Sequence, residues 1–206
     1  KVDLLRAVRK LSPHEVERQT VRARYGAGHA GGREVPAYVN EEGVDASRGT
    51  ETFAAVTLMV DNWRWAGVPF LLRSGKALAR DRREILIHFQ PVPHLAFGLE
   101  RDPAPNLLRV QIDPDRVELR ASINQPGDPF RLEEIVLGTD LAGADLPAYG
   151  RLLLDVIEGQ PTFTIRGDEA EESWRIVEPI LAVWREGRPP LLEYAAGSDG
   201  PEPRVQ

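Results

Sequence analysis

Residues 51–90, ETFAAVTLMVDNWRWAGVPFLLRSGKALARDRREILIHFQ, carry the signals that decide the fold class. ETFAAVTLMVDN reads as a strand, apolar on both faces in its middle. Two tryptophans, a Gly-Val-Pro turn and a short apolar run follow. Then comes a basic cluster, directly after what reads as a sheet strand. Between Arg73 and Arg83 there are five cationic side chains and one anionic one, Asp81. EILIHFQ (84–90) alternates again, with Ile85, Ile87 and Phe89 set against Leu86 and His88. Downstream, LLRVQID (107–113) and RVELRASIN (116–124) flank the turn residues Pro114 and Asp115 and read as a hairpin. RLEEIVLG (131–138) predicts one more strand. Strand follows strand without long helical spacers, so the sheet is expected to be largely antiparallel.

The flanks differ. KVDLLRAVRKLSP predicts a short amphipathic helix over residues 1–11, with Leu4, Leu5, Val8 and Leu11 on one side. It has no cap or lead-in. A domain rarely opens in mid-element, so a further segment N-terminal to Lys1 is expected. RQTVRARYG is a candidate strand, with Val21, Ala23 and Tyr25 alternating. The loop GAGHAGGREVPAYVNEEGVDASRG after it holds six glycines and is long for a compact domain. The helices come late. LPAYGRLLLDVIEG opens near Pro147 and closes at Gly159, with Tyr149, Leu152, Leu153 and Val156 as its expected buried stripe. PTFTIR predicts a short strand. DEAEESWRIVEPILAVWREG predicts a long helix with Asp168 and Glu171 at capping-box spacing, and with Trp174, Val177, Leu181 and Trp184 recurring at helical intervals. Pro179 lies inside that run and is expected to bend it. The fold class is therefore α+β: one large, mainly antiparallel sheet with helices packed on one face, a single domain over residues 1–206, and no internal repeat.

Bulk properties narrow the function. The chain has 206 residues, 42% of them hydrophobic and 28% charged, which suffices for a globular core. A net charge of −6 argues against a general nucleic-acid-binding surface, so only a local cluster can hold an anion. No apolar run approaches the roughly 18–20 residues of a membrane span, and no signal sequence opens the chain. Cysteine is absent, which suits a cytoplasmic protein and removes thiolate chemistry. The four histidines, His14, His29, His88 and His94, show no zinc-ligand spacing, and no metal site is expected.

The basic cluster is the strongest candidate site. Gly75 permits close backbone approach, and Lys76 behind it supplies a mobile point charge with three donors. Such a loop suits a phosphate or sugar hydroxyls; the competing reading is a solvated basic turn at a sheet edge. It is not a Walker loop. Trp63 and Trp65 are expected to pack under a sheet or at a subunit contact rather than stack on a ligand. Asp61 and Asn62 suit a turn or cap. His88 and His94 have no evident carboxylate partner, and the acids of DEAEE fit a helix N-terminus. No Gly-x-Gly-x-x-Gly opens a helix after a strand.

Together these motifs resemble the C-terminal domain of glucose-6-phosphate dehydrogenases. The run RGTETFAAVTLMVDNWRWAGVPFLLRSGKAL (48–78) carries most of the likeness. NLLRVQIDP (106–114), AYGRLLLDVIEG (148–159), RGDEAEESWRIVEPIL (166–181) and YAAGSDGP (194–201) follow in order. The resemblance implies a two-domain, NADP-dependent enzyme that oxidises the C1 hydroxyl of glucose 6-phosphate and assembles as a homodimer or homotetramer. It implies that the nucleotide fold, the catalytic histidine–aspartate pair and the main NADP contacts belong to a first, Rossmann domain whose motifs this sequence does not contain. On that view helix 1–11 is the link from the first domain, and no catalytic residue is assigned here. The lysine of the family's Arg-x-Gly-Lys loop, which reaches the sugar phosphate, corresponds to Lys76. Where the family usually has a second basic residue, this chain has Asp81, leaving Arg80 or Arg82 as substitutes. Some relatives hold a second NADP in this domain, but Pro105 precedes Asn106 where an arginine would be expected. The alternative is a stand-alone, non-catalytic assembly or regulatory module related to that domain.

Overall fold

The computed structural model describes residues 1–91, 104–112, 114–141, 148–160 and 164–201. The chain divides into two units, Lys1–Asp81 with Thr162–Gln206, and Arg82–Pro161.

The first unit is built around strands β1 (Thr20–Gly26), β4 (Phe53–Met59), β5 (Pro69–Gly75) and β10 (Leu192–Ala195). Their order is β10-β1-β4-β5. β1 pairs antiparallel with β4, placing Val21 opposite Ala55, and β4 pairs antiparallel with β5, placing Phe53 opposite Gly75. β10 runs parallel to β1, with Tyr194 opposite Tyr25. The double-sided apolar pattern of β4 has its expected consequence, because both faces are covered. Val56 and Leu58 meet one core cluster, formed with Val16, Ile176, Ile180 and Trp184 of the helices. Phe53 and Ala55 meet another, with Val21, Ala23, Tyr25 and Tyr194. Alternate residues of one strand thus feed two cores. The second face is closed by the 26–49 segment, which holds a small ribbon, β2 (Gly28–Ala30) with β3 (Arg33–Val35), and a 3-10 turn at Tyr38–Asn40. The Gly31-Gly32 pair between β2 and β3 is the usual two-residue hairpin signal.

The N-terminal helix is shorter than its periodicity suggests. α1 spans Val2–Ala7, and Val8 leaves it to bridge Val60. Leu4 is exposed, while Val8 and Leu11 are buried. The Arg175 guanidinium donates to the Leu5 and Val8 carbonyls at 2.6 and 3.1 Å and satisfies that helix end. A second helix, α2 (Pro13–Gln19), occupies residues expected to be partly strand. Its cause is Ser12-Pro-His-Glu15. The Ser12 hydroxyl accepts from the Glu15 amide at 3.4 Å, and the Glu15 carboxylate accepts from the Ser12 amide at 2.8 Å. That amide, then the Ser12 hydroxyl, holds the Glu15 carboxyl below its ordinary range. Because Val16 of α2 is fully buried, losing the cap loosens a core element. Ser12→Ala is expected to lower stability by about 1 kcal/mol, read as a shift in the urea midpoint with an unchanged slope.

The long helix, α4 (Gly167–Arg185), continues through Pro179, but its cap and its buried face differ from expectation. Glu169, not Glu171, reaches back to the Arg166 amide, at 3.5 Å. The face against the sheet is Ile176, Ile180, Val183 and Trp184; Trp174 and Val177 are exposed. The Trp184 indole donates to the Thr20 hydroxyl at 2.9 Å, which pins this rotation. Helical spacing identifies an apolar stripe, but this helix carries two overlapping ones; of the expected residues Trp184 is buried and Leu181 packs half-buried against the same core, while Trp174 and Val177 face out.

The second unit holds β6 (Glu84–His88), β7 (Leu107–Gln111), β8 (Arg116–Gln125) and β9 (Asp128–Asp140) as an antiparallel sheet in sequential order. Arg109 pairs with Glu84 at 2.6 Å, and Arg116 with Asp140 at 2.7 Å. α3 (Ala148–Ile157) follows. Most of its expected buried stripe faces outward instead, with Tyr149, Leu153 and Val156 exposed and Leu152 half-buried; among the described residues Asp155 is the buried one, paired with Arg151 at 3.1 Å. The strand expected over 161–166 begins in residues 161–163, outside the described ones, as does His94. The α+β class with mainly antiparallel strands holds. The strands are divided among two four-stranded sheets and the β2–β3 ribbon rather than one broad sheet. Among the described residues no helix is long and apolar enough to cross a membrane.

Candidate functional site

β5 delivers the basic cluster. At its end Gly75 lies over the Phe53 ring, and a Cβ there would come within 2.7 Å of that ring, so the close approach requires glycine. Lys76 is next, and its backbone is held from several sides. Its amide donates to the Thr52 carbonyl at 2.9 Å, and its own carbonyl accepts from the Tyr194 hydroxyl at 2.7 Å. Ala77 adopts a left-handed conformation with φ 49°. Its carbonyl accepts from the Gly197 amide at 2.8 Å, and the Ala79 amide donates to the Ser198 carbonyl at 2.9 Å. A non-glycine residue in this region costs on the order of 1–3 kcal/mol and persists only where its surroundings enforce it. Here the enforcement comes from residues 194–198, brought alongside by the parallel β1–β10 pairing.

The side chains on this turn are electrostatically available. Lys76, Arg80 and Arg82 are exposed, and among the described residues none has an ion pair or hydrogen bond from its side chain. Elsewhere arginines such as Arg109, Arg116, Arg175 and Arg188 are paired with carboxylates. Lys76 and Arg80 belong to the first unit with Asp81, while Arg82 opens the second. Arg73 lies over the Phe53 ring, its guanidinium carbon 5.3 Å from the centroid.

A polar chain supports the turn from below. The Tyr25 amide donates to the Thr52 hydroxyl at 3.0 Å, and that hydroxyl lies 3.2 Å from the Tyr194 hydroxyl. The Tyr25 hydroxyl donates to Glu41 at 2.8 Å, and burial together with that carboxylate pushes its pKa up to about 12. Burial likewise pushes the Tyr194 phenol up, so both stay neutral donors at physiological pH.

The other candidates separate by role. Asn62 has the turn function expected, its side-chain oxygen accepting from the Arg64 and Trp65 amides at 3.1 and 2.9 Å. Trp65 packs edge-on against Phe70 at 5.2 Å, as expected, but Trp63 is 89% exposed with Arg64 over its ring and does not fill the space under the sheet. His88 is exposed on β6, and no described histidine is hydrogen-bonded to a carboxylate. Among the described residues no three His, Asp or Glu side chains cluster as metal ligands. Asn106 spends its side-chain oxygen on the Ser122 amide at 3.2 Å, and so serves sheet register. The turn can therefore hold an anion through cations on a rigid backbone, but the described residues offer no general acid–base pair. Thr52, Tyr194, Gly197 and Ser198 carry no periodic signal of their role; Tyr194 lies 118 positions from the carbonyl it holds.

The whole chain, residues 1–206, matches the family model described as glucose-6-phosphate dehydrogenase, C-terminal domain. Among curated proteins it is 40% identical over 209 residues to a glucose-6-phosphate 1-dehydrogenase of Treponema pallidum, covering 98% of this chain and 41% of that protein. It is also 40% identical over 212 residues to the Gluconobacter oxydans glucose-6-phosphate 1-dehydrogenase, covering 100% of this chain and 42% of the relative. A solved glucose-6-phosphate 1-dehydrogenase from Mycobacterium avium superposes with a TM-score of 0.77 at 35% identity, over 98% of this chain and 40% of that one. A glucose-6-phosphate dehydrogenase solved in complex with its substrate glucose-6-phosphate superposes at 0.83 with 27% identity, over 98% of this chain and 41% of that one. This chain thus spans about two-fifths of the length of those relatives. A match over every residue, at 40% identity and with the same fold, has one consequence: the chain belongs to the glucose-6-phosphate dehydrogenase family and spans its C-terminal domain.

Proposed function

We propose that this chain is the C-terminal part of a cytoplasmic, NADP-dependent glucose-6-phosphate dehydrogenase, and that Lys76 holds the phosphate of the sugar. The observation that carries the reading is the braced and unpaired Lys76 ammonium. A lysine on a loose, solvated edge would not need the strained Ala77, the buried Tyr194 hydroxyl and two backbone bonds from residues 197–198. The solved relative bound to glucose 6-phosphate supports that phosphosugar as the ligand. Arg80 or Arg82 supplies a second cation in place of Asp81, since both are exposed and unpaired.

The described residues do not fit a dinucleotide: no glycine-rich turn leads from a parallel strand into a helix N-terminus, and Asn106 is committed to Ser122. The nicotinamide and the proton-accepting base are therefore assigned to the remainder of the full-length enzyme. This chain binds and orients the phosphate end, which matters because transfer at the distant C1 depends on alignment. The exposed apolar residues of the second sheet, among them Ile85, Ile87, Val136 and Leu137, support assembly as a homodimer or homotetramer.

The full-length protein is expected to reduce NADP on addition of glucose 6-phosphate, followed by the absorbance of the reduced nicotinamide, while residues 1–206 alone give no signal. No reduction with either NADP or NAD would overturn the assignment, as would equal turnover of glucose and its phosphate.

A further inference from the structure

We propose that Tyr194 is a positioning residue for phosphosugar binding, fixing the backbone of Lys76 through a directional hydrogen-bond chain that runs from the Tyr25 amide through Thr52. The proposal rests on the reading of Lys76 as the phosphate contact and deepens it. The direction follows from counting protons. The Tyr25 amide donates to the Thr52 hydroxyl at 3.0 Å, which leaves that hydroxyl's own proton for another acceptor. The Tyr194 oxygen lies 3.2 Å away. Tyr194 has a single proton, and its shortest contact is the Lys76 carbonyl at 2.7 Å, against 3.4 Å for the Thr52 carbonyl. Each hydroxyl is thus polarised by the donor before it, which strengthens the bond after it. Thr52 acts twice, since its carbonyl also receives the Lys76 amide at 2.9 Å.

The ring cannot drift. Tyr194 is buried, edge-on to Phe53 at 5.7 Å and to Tyr25 at 6.4 Å. The hydroxyl therefore arrives at the Lys76 carbonyl as a rigid donor. Ala77 lies immediately beyond in its left-handed conformation, so the Lys76 peptide is clamped on one side and forced on the other. Holding the Cα–Cβ direction of Lys76 before the ligand arrives removes part of the ordering cost of binding. The lysine stem beyond Cβ is exposed and is not fixed by these bonds, so the effect of Tyr194 is smaller than that of the ammonium itself.

The test uses the full-length enzyme. Tyr194→Phe keeps the ring and deletes one hydroxyl. It is expected to raise KM for glucose 6-phosphate about three- to tenfold, with kcat changed less than about twofold. Amide hydrogen exchange of residues 76–79 is expected to accelerate. In a Lys76→Ala background the same change is expected to add no further increase in KM, because the effect passes through Lys76. Thr52→Val, which removes the donor to Tyr194, is expected to act in the same direction and serves as the test if Tyr194→Phe does not fold. Multiplying KM effects in the double variant, or unchanged exchange at residues 76–79, would overturn the role of Tyr194 while leaving Lys76 as the phosphate contact. A Lys76→Ala enzyme with unaltered KM would instead overturn the reading of Lys76, and this inference with it.

Discussion

Lys76→Ala in the full-length enzyme is expected to raise KM for glucose 6-phosphate about ten- to a hundredfold, with the melting temperature unchanged. The magnitude is that of one charge-assisted hydrogen bond to a phosphate, on the order of 1.5–3 kcal/mol. The melting temperature stays because Lys76 is exposed and its side chain pairs with no described residue, so truncation leaves no buried partner stranded. The backbone bonds of the turn are independent of the side chain. Lys76→Arg restores charge but not shape, since a planar fork replaces a compact ammonium, and recovers only part of the loss. Added salt weakens the wild-type interaction more than the variant's, because the variant has lost a cation facing a dianion. Steady-state kinetics at two ionic strengths checks both points. A KM within experimental error of wild type would remove Lys76 from the site.

Gly197→Ala is expected to destabilise the protein by roughly 2–5 kcal/mol, combining overpacking with backbone strain. Gly197 has φ 84°, and a Cβ built on it would fall 1.7 Å from the His29 carbonyl oxygen. That oxygen is backbone, in the ribbon strand β2, and the His29 amide is itself tied to the Ala196 carbonyl at 3.1 Å. Neither side can yield cheaply. The Gly197 amide also donates to the Ala77 carbonyl, so displacement reaches the Lys76 turn directly. The variant should therefore combine a lower denaturation midpoint with a higher KM for the phosphosugar, unlike Lys76→Ala, which changes KM alone. A Gly197→Ala enzyme of wild-type stability would show that the 196–198 segment does not approach β2 this closely.

Much of the candidate site was legible in residues 69–83. Glycine before lysine in an acidic chain marked the cluster, and the family resemblance singled out Lys76. What holds Lys76 was not legible. The roles of Tyr194 and Gly197 left no mark in the sequence, because nothing local distinguishes a tyrosine that donates to a carbonyl 118 positions away from one that packs in a loop. The capping pair Ser12 and Glu15 was readable, yet the amphipathic pattern of residues 4–11 masked it. On α3 and α4 the apolar period was correct and the buried side only partly so: Tyr149 and Trp174 face out and Asp155 and Ile176 face in, while Trp184 and Leu181 are on the core side as expected.

By itself the sequence determined most of the strands, through alternation dictated by the pleat, and the helices α3 and α4, through their 3.6-residue period, but not α2, β2, β3 or β10. It also determined that cations follow β5. Tertiary structure alone decided which helical stripe meets the sheet, how the strands divide between two sheets, and that β10 returns parallel beside β1 to place Tyr194 under Lys76. The physical reason is range. Periodicity follows from backbone geometry within a few residues, whereas the direction in which Lys76 points depends on hydrogen bonds whose partners meet only after the chain has folded around Phe53.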